Sequence, residues 1–250
     1  MKSNVYLGTA AWGQKTTKHE AFAILDEFVK NDFNFVDTAT NYPINGKSED
    51  FRLAVSWLME WQRSNLTTQL NVFVKIGSVN NLGDERVNLS RDHISDVINE
   101  LQTSFGVNLY GVGIHWDNRG EDCYEEIHET ILTLNSLRNN LKLGMSGIRH
   151  PDLYFKTKEI DCDWFIQVKE YPGYTAGREN YLSYFSKNPY IAYGLSHFIN
   201  LSAEPNRRRK KEVYFQGLGY FLRNTDLHGF IVAPRGFHQA KEILHFFQRN

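Results

Sequence analysis

Short apolar runs alternate with amphipathic stretches eight times along this chain, and that alternation limits the available folds more than any other feature. The runs are VYLG (5–8), FNFV (33–36), NVFVKI (71–76), LYGVGI (109–114), KLGMS (142–146), DWFIQV (163–168), YIAYGL (190–195) and HGFIVA (228–233). Helical spacing of apolar residues follows each one. Helices are predicted over 17–30, 48–63, 90–105, 122–138, 151–158, 178–186, 204–222 and 236–248. In the first, Phe22, Leu25, Phe28 and Val29 share a face; in the third, Ile94, Val97, Ile98 and Leu101 do, with Ser90 placed to cap it. Strands alternating with helices imply right-handed crossovers and a parallel sheet. Several runs are apolar at nearly every position, as strands covered on both faces should be. Eight such units in 250 residues fit a (β/α)8 TIM barrel forming a single domain over residues 1–250. An open doubly wound sheet is disfavoured, because the first strand runs into LGTAAWG and no GxGxxG follows it.

Charge and cysteine content narrow the function classes. The formal net charge is -1, so neither nucleic acid nor an anionic membrane surface is an expected partner. Cys123 and Cys162 form no CxxC pair and have no metal-ligand spacing around them, which predicts free thiols, a reducing compartment and no metal site. MKSNVYLGTA lacks the apolar run of a signal peptide, and no window approaches a membrane span. A cytoplasmic protein is the expectation.

In a β/α barrel the chemistry sits at the C-terminal ends of the strands. The second run leads into Asp37, with Tyr42 in the loop beyond it; the third ends at Lys75 and the fourth at His115. Each alone is weak evidence, but ionisable groups at three adjacent strand ends form a coherent set. A phenol near its reference pKa of about 10 exchanges protons poorly at neutral pH, and a neighbouring ammonium should lower it. A buried lysine requires a counter-ion, which Asp37 can be. An imidazole can orient a carbonyl oxygen. The set is a proton donor aimed at a carbonyl. Hydride would have to come from a nicotinamide cofactor, since no side chain supplies one. A competing use of Lys75, as a Schiff base in a lyase or isomerase, would leave Asp37 and Tyr42 without a role.

The motifs GTAAWG (8–13), FVDTATNY (35–42) with GKSED (46–50), FVKIG (73–77) and GIHWD (113–117) resemble those of the aldo-keto reductases. Weaker matches are LGMS (143–146), FIQVKEY (165–171), IAYGL (191–195) and GFIVAPRGFHQAKEIL (229–244). That family is a β/α barrel that reduces aldehydes or ketones with NADPH, sometimes NADH. The resemblance implies a small-molecule carbonyl substrate, with Tyr42 as general acid, Lys75 and Asp37 tuning it and His115 orienting the carbonyl. It implies that Ser146 and Gln167 hold the nicotinamide amide, that Tyr193 stacks on the ring, and that Thr9 and Asp37 also face the cofactor. Trp12 and Trp116 would wall the substrate pocket. Barrels commonly hold phosphate beside the last two strand loops. Arg235, with Gln239 one helical turn on, is therefore expected to take an adenosine 2′-phosphate and favour NADPH over NADH.

Some positions depart from the family pattern. Gly147 stands where an Asn usually follows the serine, Ala233 where a Gly is usual, and Ile243 where an Asn contacts adenine; the Pro or Ala before Leu195 is missing. The first strand begins by about residue 5 and the last helix ends the sequence. The N-terminal hairpin and C-terminal loop usual in the family are thus expected to be lacking, leaving an open pocket. These departures favour a second reading, a catalytically weak cofactor-binding or regulatory protein on the same fold. The basic run Arg207–Lys211 reads either as phosphate contacts or as the solvated start of a helix.

Overall fold

A computed structural model of the protein describes residues 4–202 and 206–249. Eight strands form a closed, all-parallel barrel in chain order: β1 (Asn4–Gly8), β2 (Phe35–Ala39), β3 (Asn71–Ile76), β4 (Leu109–His115), β5 (Lys142–Ser146), β6 (Phe165–Lys169), β7 (Tyr190–Tyr193) and β8 (Gly229–Val232), with β8 pairing back to β1. Around it lie α1 (Lys18–Lys30), α2 (Leu53–Ser64), α3 (Arg91–Phe105), α4 (Tyr124–Leu137), α5 (Pro151–Lys156), α6 (Ala176–Phe185), α7 (Leu195–Leu201), α8 (Arg207–Arg223) and α9 (Phe237–Arg249). The barrel expected from the alternation is the barrel found.

The core has two compartments because strand side chains alternate between faces. Outward residues such as Val72, Val74 and Ile76 join a large cluster with the helices, including Ile94, Ile98 and Leu101 of α3. Inside the barrel, Tyr6, Phe73, Phe165 and Ile191 pack together, with Phe35, Tyr110 and Ile231 against them. The rings of Tyr6, Phe35, Tyr110 and Phe165 touch in sequence across this end, centroids 5.2–6.0 Å apart, so aromatic rings fill the barrel floor. Above them Phe73 reaches across the axis. A Cβ at Gly113 would come within 2.8 Å of the Phe73 ring, and one at Gly111 within 2.9 Å. Glycines on β4 therefore leave the volume that one phenylalanine fills.

Several boundaries differ from the sequence reading, two of them around the site. β2 begins at Phe35, not at 33, and extends through Ala39. Asp32 takes a left-handed conformation (φ 64°) after α1, which turns Phe33 onto Phe28 and Phe247 instead of into the strand. The polar DTA continues the strand because Asp37 finds partners within the barrel. The seventh crossover, expected as one helix over 204–222, is two: Gly194 (φ 117°) starts α7 immediately after β7, and Asn206 caps α8 by accepting from Arg208 and Arg209. Ser90 does not cap α3 with its side chain; its hydroxyl donates to Asn88 Oδ1 at 2.8 Å. On α1, Thr17 and Glu20 form a reciprocal capping box.

Candidate active site

Asp37, Tyr42, Lys75 and His115 line one cavity of about 350 Å³ at the C-terminal mouth of the barrel. Strand register places them there. Gly8, Asp37 and Phe73 are level across β1, β2 and β3; Ala39, Lys75 and Gly113 form the next inward row. Asp37 is thus a mid-strand residue one row below Lys75, not a residue at the strand's end. The long lysine side chain spans the step and donates to Asp37 Oδ2, with both groups almost fully buried. Gln167 Nε2 donates to the other oxygen, Oδ1, at 2.6 Å. The Asp37 carboxylate is held on both sides and cannot rotate freely.

Lys75 is pulled below its ordinary pKa by burial, with the neighbouring Asp37 carboxylate opposing that shift. His115 lies far below the usual imidazole range because it is buried and close to the Lys75 charge, so the ring is neutral. Its Nδ1 is buried without a partner. The Tyr42 ring meets His115 edge-on at 5.7 Å, and Lys75 Nζ sits 5.2 Å from the Tyr42 ring centroid. The expected lowering of the phenol pKa is not found. Burial, then the Asp37 charge, raise it, while the Lys75 ammonium is bonded to Asp37. Tyr42 is a protonated phenol throughout the neutral range, suited to giving a proton.

Ser146, Gln167, Tyr193 and Trp116 line the same cavity. Burial raises the Tyr193 phenol to about 12. Gln167 spends one of its two amide N–H groups on Asp37 here, so its carbonyl oxygen and second N–H remain to face a ligand. Trp116 sits at φ 59° and tilts over His115 at 4.9 Å. Gly147 is what admits it: a Cβ at residue 147 would lie 2.5 Å from Trp116 Cδ1. The absence of a side chain at 147 and the placed indole are one packing solution. Asp117, which follows Trp116, is buried under the Arg119 guanidinium and the Tyr154 hydroxyl and fixes the loop that presents the indole.

Three expected residues, Trp12, Thr9 and Gln239, make other contacts, and a fourth, Arg235, lies outside the cavity. Trp12 is fully buried in the outer core and walls no pocket; the adjacent Gly13 packs on Leu53 and Pro43, which folds this loop inward. Thr9 is also fully buried, its hydroxyl donating to Thr38 Oγ1 at 2.8 Å and to the Asp37 carbonyl at 3.2 Å; it ties the Asp37 backbone to β1 and is not part of the cavity wall. Gln239 Oε1 accepts from the Arg235 N–H at 2.9 Å, a cap on α9. Arg235 is exposed and stands outside the catalytic cavity, and Ile243 is core. Of the basic run, Lys210 and Lys211 border a second cavity between α8 and α9, with His238, Gln239 and Glu242; Lys211 pairs with Glu242 at 2.7 Å. The Arg207 side chain lies outside the described residues.

Sequence reasoning missed Lys169, Ser196, His197 and Tyr214, all on the cavity wall. Lys169 was legible, since it follows Gln167 by two residues and strand parity sends both inward. Tyr214 was not, because α8 brings it from across the fold.

The sequence model of the aldo/keto reductase family matches residues 4–158. The chain belongs to the aldo/keto reductase family. Membership points to an oxidoreductase. Among its relatives, Protein tas of Escherichia coli (strain K12) and Protein tas of Shigella flexneri are each 26% identical over 135 residues, 50% of this chain and 38% of theirs. The match thus spans well under half the length of those relatives. The glycerol dehydrogenase AKR11B4 from Gluconobacter oxydans has a similar fold, with a TM-score of 0.73 and 15% identity over 98% of this chain and 86% of that one. Among the described residues, no group of His, Cys, Asp or Glu could hold a metal, Cys123 and Cys162 are free, and no helix is long and apolar enough to cross a membrane.

Proposed function

We propose that this aldo/keto reductase reduces an aldehyde or ketone to an alcohol with NAD(P)H. The convergence of Asp37, Tyr42, Lys75 and His115 on one cavity supports this reading. Tyr193, Ser146 and Gln167 line the cavity together, an aromatic ring beside polar groups, which supports a nicotinamide held there. The bound cofactor supplies hydride. The chain's own part is to hold and protonate the carbonyl oxygen. His115, kept neutral by burial, orients that oxygen from one side. Tyr42 gives up its proton as charge develops there, and Lys75, held by Asp37, offsets the phenolate that results.

NADPH is the preferred cofactor in this reading, with Arg235 the discriminating charge; its exposure just beyond β8, near a cavity bordered by Lys210 and Lys211, supports that choice. A weakly catalytic, cofactor-binding role is the second reading. It is favoured by Gln167 being turned onto Asp37 and by Gly147, which has no side-chain amide to offer a cofactor. Titration with NADPH and NADH, followed by cofactor oxidation over a panel of aldehydes and ketones, separates the two. Binding with turnover supports the reductase, binding without it the second reading, and absence of binding refutes both.

A further inference from the structure

The charged side chains that line the catalytic cavity are Asp37, Lys75 and Lys169. Asp37 and Lys75 neutralise each other in a buried ion pair, and His115 is uncharged. One positive charge remains. Lys169 ends β6 on its inward face, in register with Tyr193 of β7. Its stem lies against Gly194, where a Cβ would come within 3.3 Å of Lys169 Cγ. Its ammonium lies 5.9 Å from the centroid of the Tyr174 ring, and among the described residues no carboxylate pairs with it. The adjacent Glu170 is fully buried and already committed to Arg178 at 2.8 Å, Tyr220 at 2.8 Å and Asn224 at 2.9 Å. A half-buried ammonium on a cavity wall with no counter-ion favours an anionic guest, since low-dielectric walls strengthen its field.

We propose that Lys169 is an oxyanion-binding residue of the barrel mouth, taking a phosphate oxygen of the dinucleotide or a carboxylate carried by the carbonyl substrate. The site stands on the charge balance of the cavity; which molecule brings the anion rests on the reductase reading. In the substrate case the preferred substrates are oxo acids over neutral carbonyls of the same size.

Lys169→Met keeps the stem and removes the charge, and Lys169→Arg restores the charge. Three quantities are measured in the intact protein and both variants, with melting temperatures as a check on folding. They are the Kd for inorganic pyrophosphate, the Kd for NADPH, and the ratio of kcat/KM for 4-carboxybenzaldehyde to that for 4-methylbenzaldehyde. Loss of one charged hydrogen bond predicts a fall of roughly 10- to 100-fold in Lys169→Met, largely recovered in Lys169→Arg. A fall in NADPH affinity assigns the anion to the cofactor; a fall in the ratio alone assigns it to the substrate. If the native protein neither binds dinucleotide nor turns over, yet pyrophosphate binding is abolished in Lys169→Met, the reductase reading fails and the anion site stands. If Lys169→Met matches the native protein in every measurable quantity, or the native protein binds none of these probes, the proposal is overturned.

Discussion

At the residue scale, Tyr42 and His115 carry the sharpest expectations. Tyr42→Phe retains the ring against His115 and removes only the proton. It should lower kcat by about 10²-fold or more while leaving the NADPH dissociation constant near its native value, measured by steady-state turnover and fluorescence titration. Native turnover in that variant would remove the phenol from the mechanism. His115 gives a pH test. Its folded-state pKa is depressed, whereas the unfolded chain has the ordinary value near 6.5. Below that value the unfolded state binds a proton that the folded state refuses, so stability falls as pH drops from about 6.5 toward the folded pKa. Denaturant unfolding at about pH 7.5 and about pH 5.5 should show this loss, and His115→Asn should reduce it. An unchanged pH dependence would mean that the imidazole titrates normally. Residue types at this scale were readable in the sequence: Lys75 and His115 from the ends of their strands, Asp37 from within the second run and Tyr42 from the loop after it. Their electrostatics were not. The phenol pKa moved opposite to expectation because burial, and then the Asp37 charge, raise it, while the Lys75 ammonium is bonded to Asp37 one row lower in the barrel.

At the element scale, β4 is matched to β3 by omission of side chains. Gly113→Ala would bring a Cβ to 2.8 Å from the Phe73 ring and 3.2 Å from the Gly144 carbonyl oxygen. Overpacking of this kind costs about 1–3 kcal/mol. Phe73→Leu in the same chain should recover part of that loss, a coupling that a double-mutant cycle from denaturation curves measures. Strict additivity would place the strain elsewhere. The existence of every strand was legible, because an apolar run buried on both faces has few other uses. Boundaries were less so. Phe33 looks like strand and packs like helix cover; the polar DTA looks like loop and is strand, since hydrogen bonding inside the barrel compensates its burial.

At the scale of the whole molecule, a dinucleotide that binds only the folded barrel should raise its melting temperature in proportion to the logarithm of concentration, by about 2.7 kcal/mol of stability at about one hundred times Kd. NADPH should stabilise more than NADH. Arg235→Ala should remove most of that difference, weakening NADPH by roughly 1–3 kcal/mol and leaving NADH nearly unaffected. Equal shifts with both cofactors in the native protein would show that the 2′-phosphate is not recognised.

The amino-acid order alone pointed to the barrel, because eight apolar runs separated by amphipathic helices fit its size and the first strand lacks the glycine pattern of an open doubly wound sheet, and it determined which strands carry the ionisable groups. Closure of the barrel decided the rest. Which of several polar or aromatic residues near a strand end faces the mouth depends on strand parity and on how each loop folds back, and neither is a property of neighbouring residues. Thr9 and Trp12 sit in a motif that resembles a binding loop, yet packing draws both inward. Gly147 reads as a missing amide until the Trp116 indole is seen in the space a side chain would need. Lys169 reads as an ordinary lysine at the end of a strand, and only the pairing of Lys75 with Asp37 across the barrel makes it the uncompensated charge of the cavity.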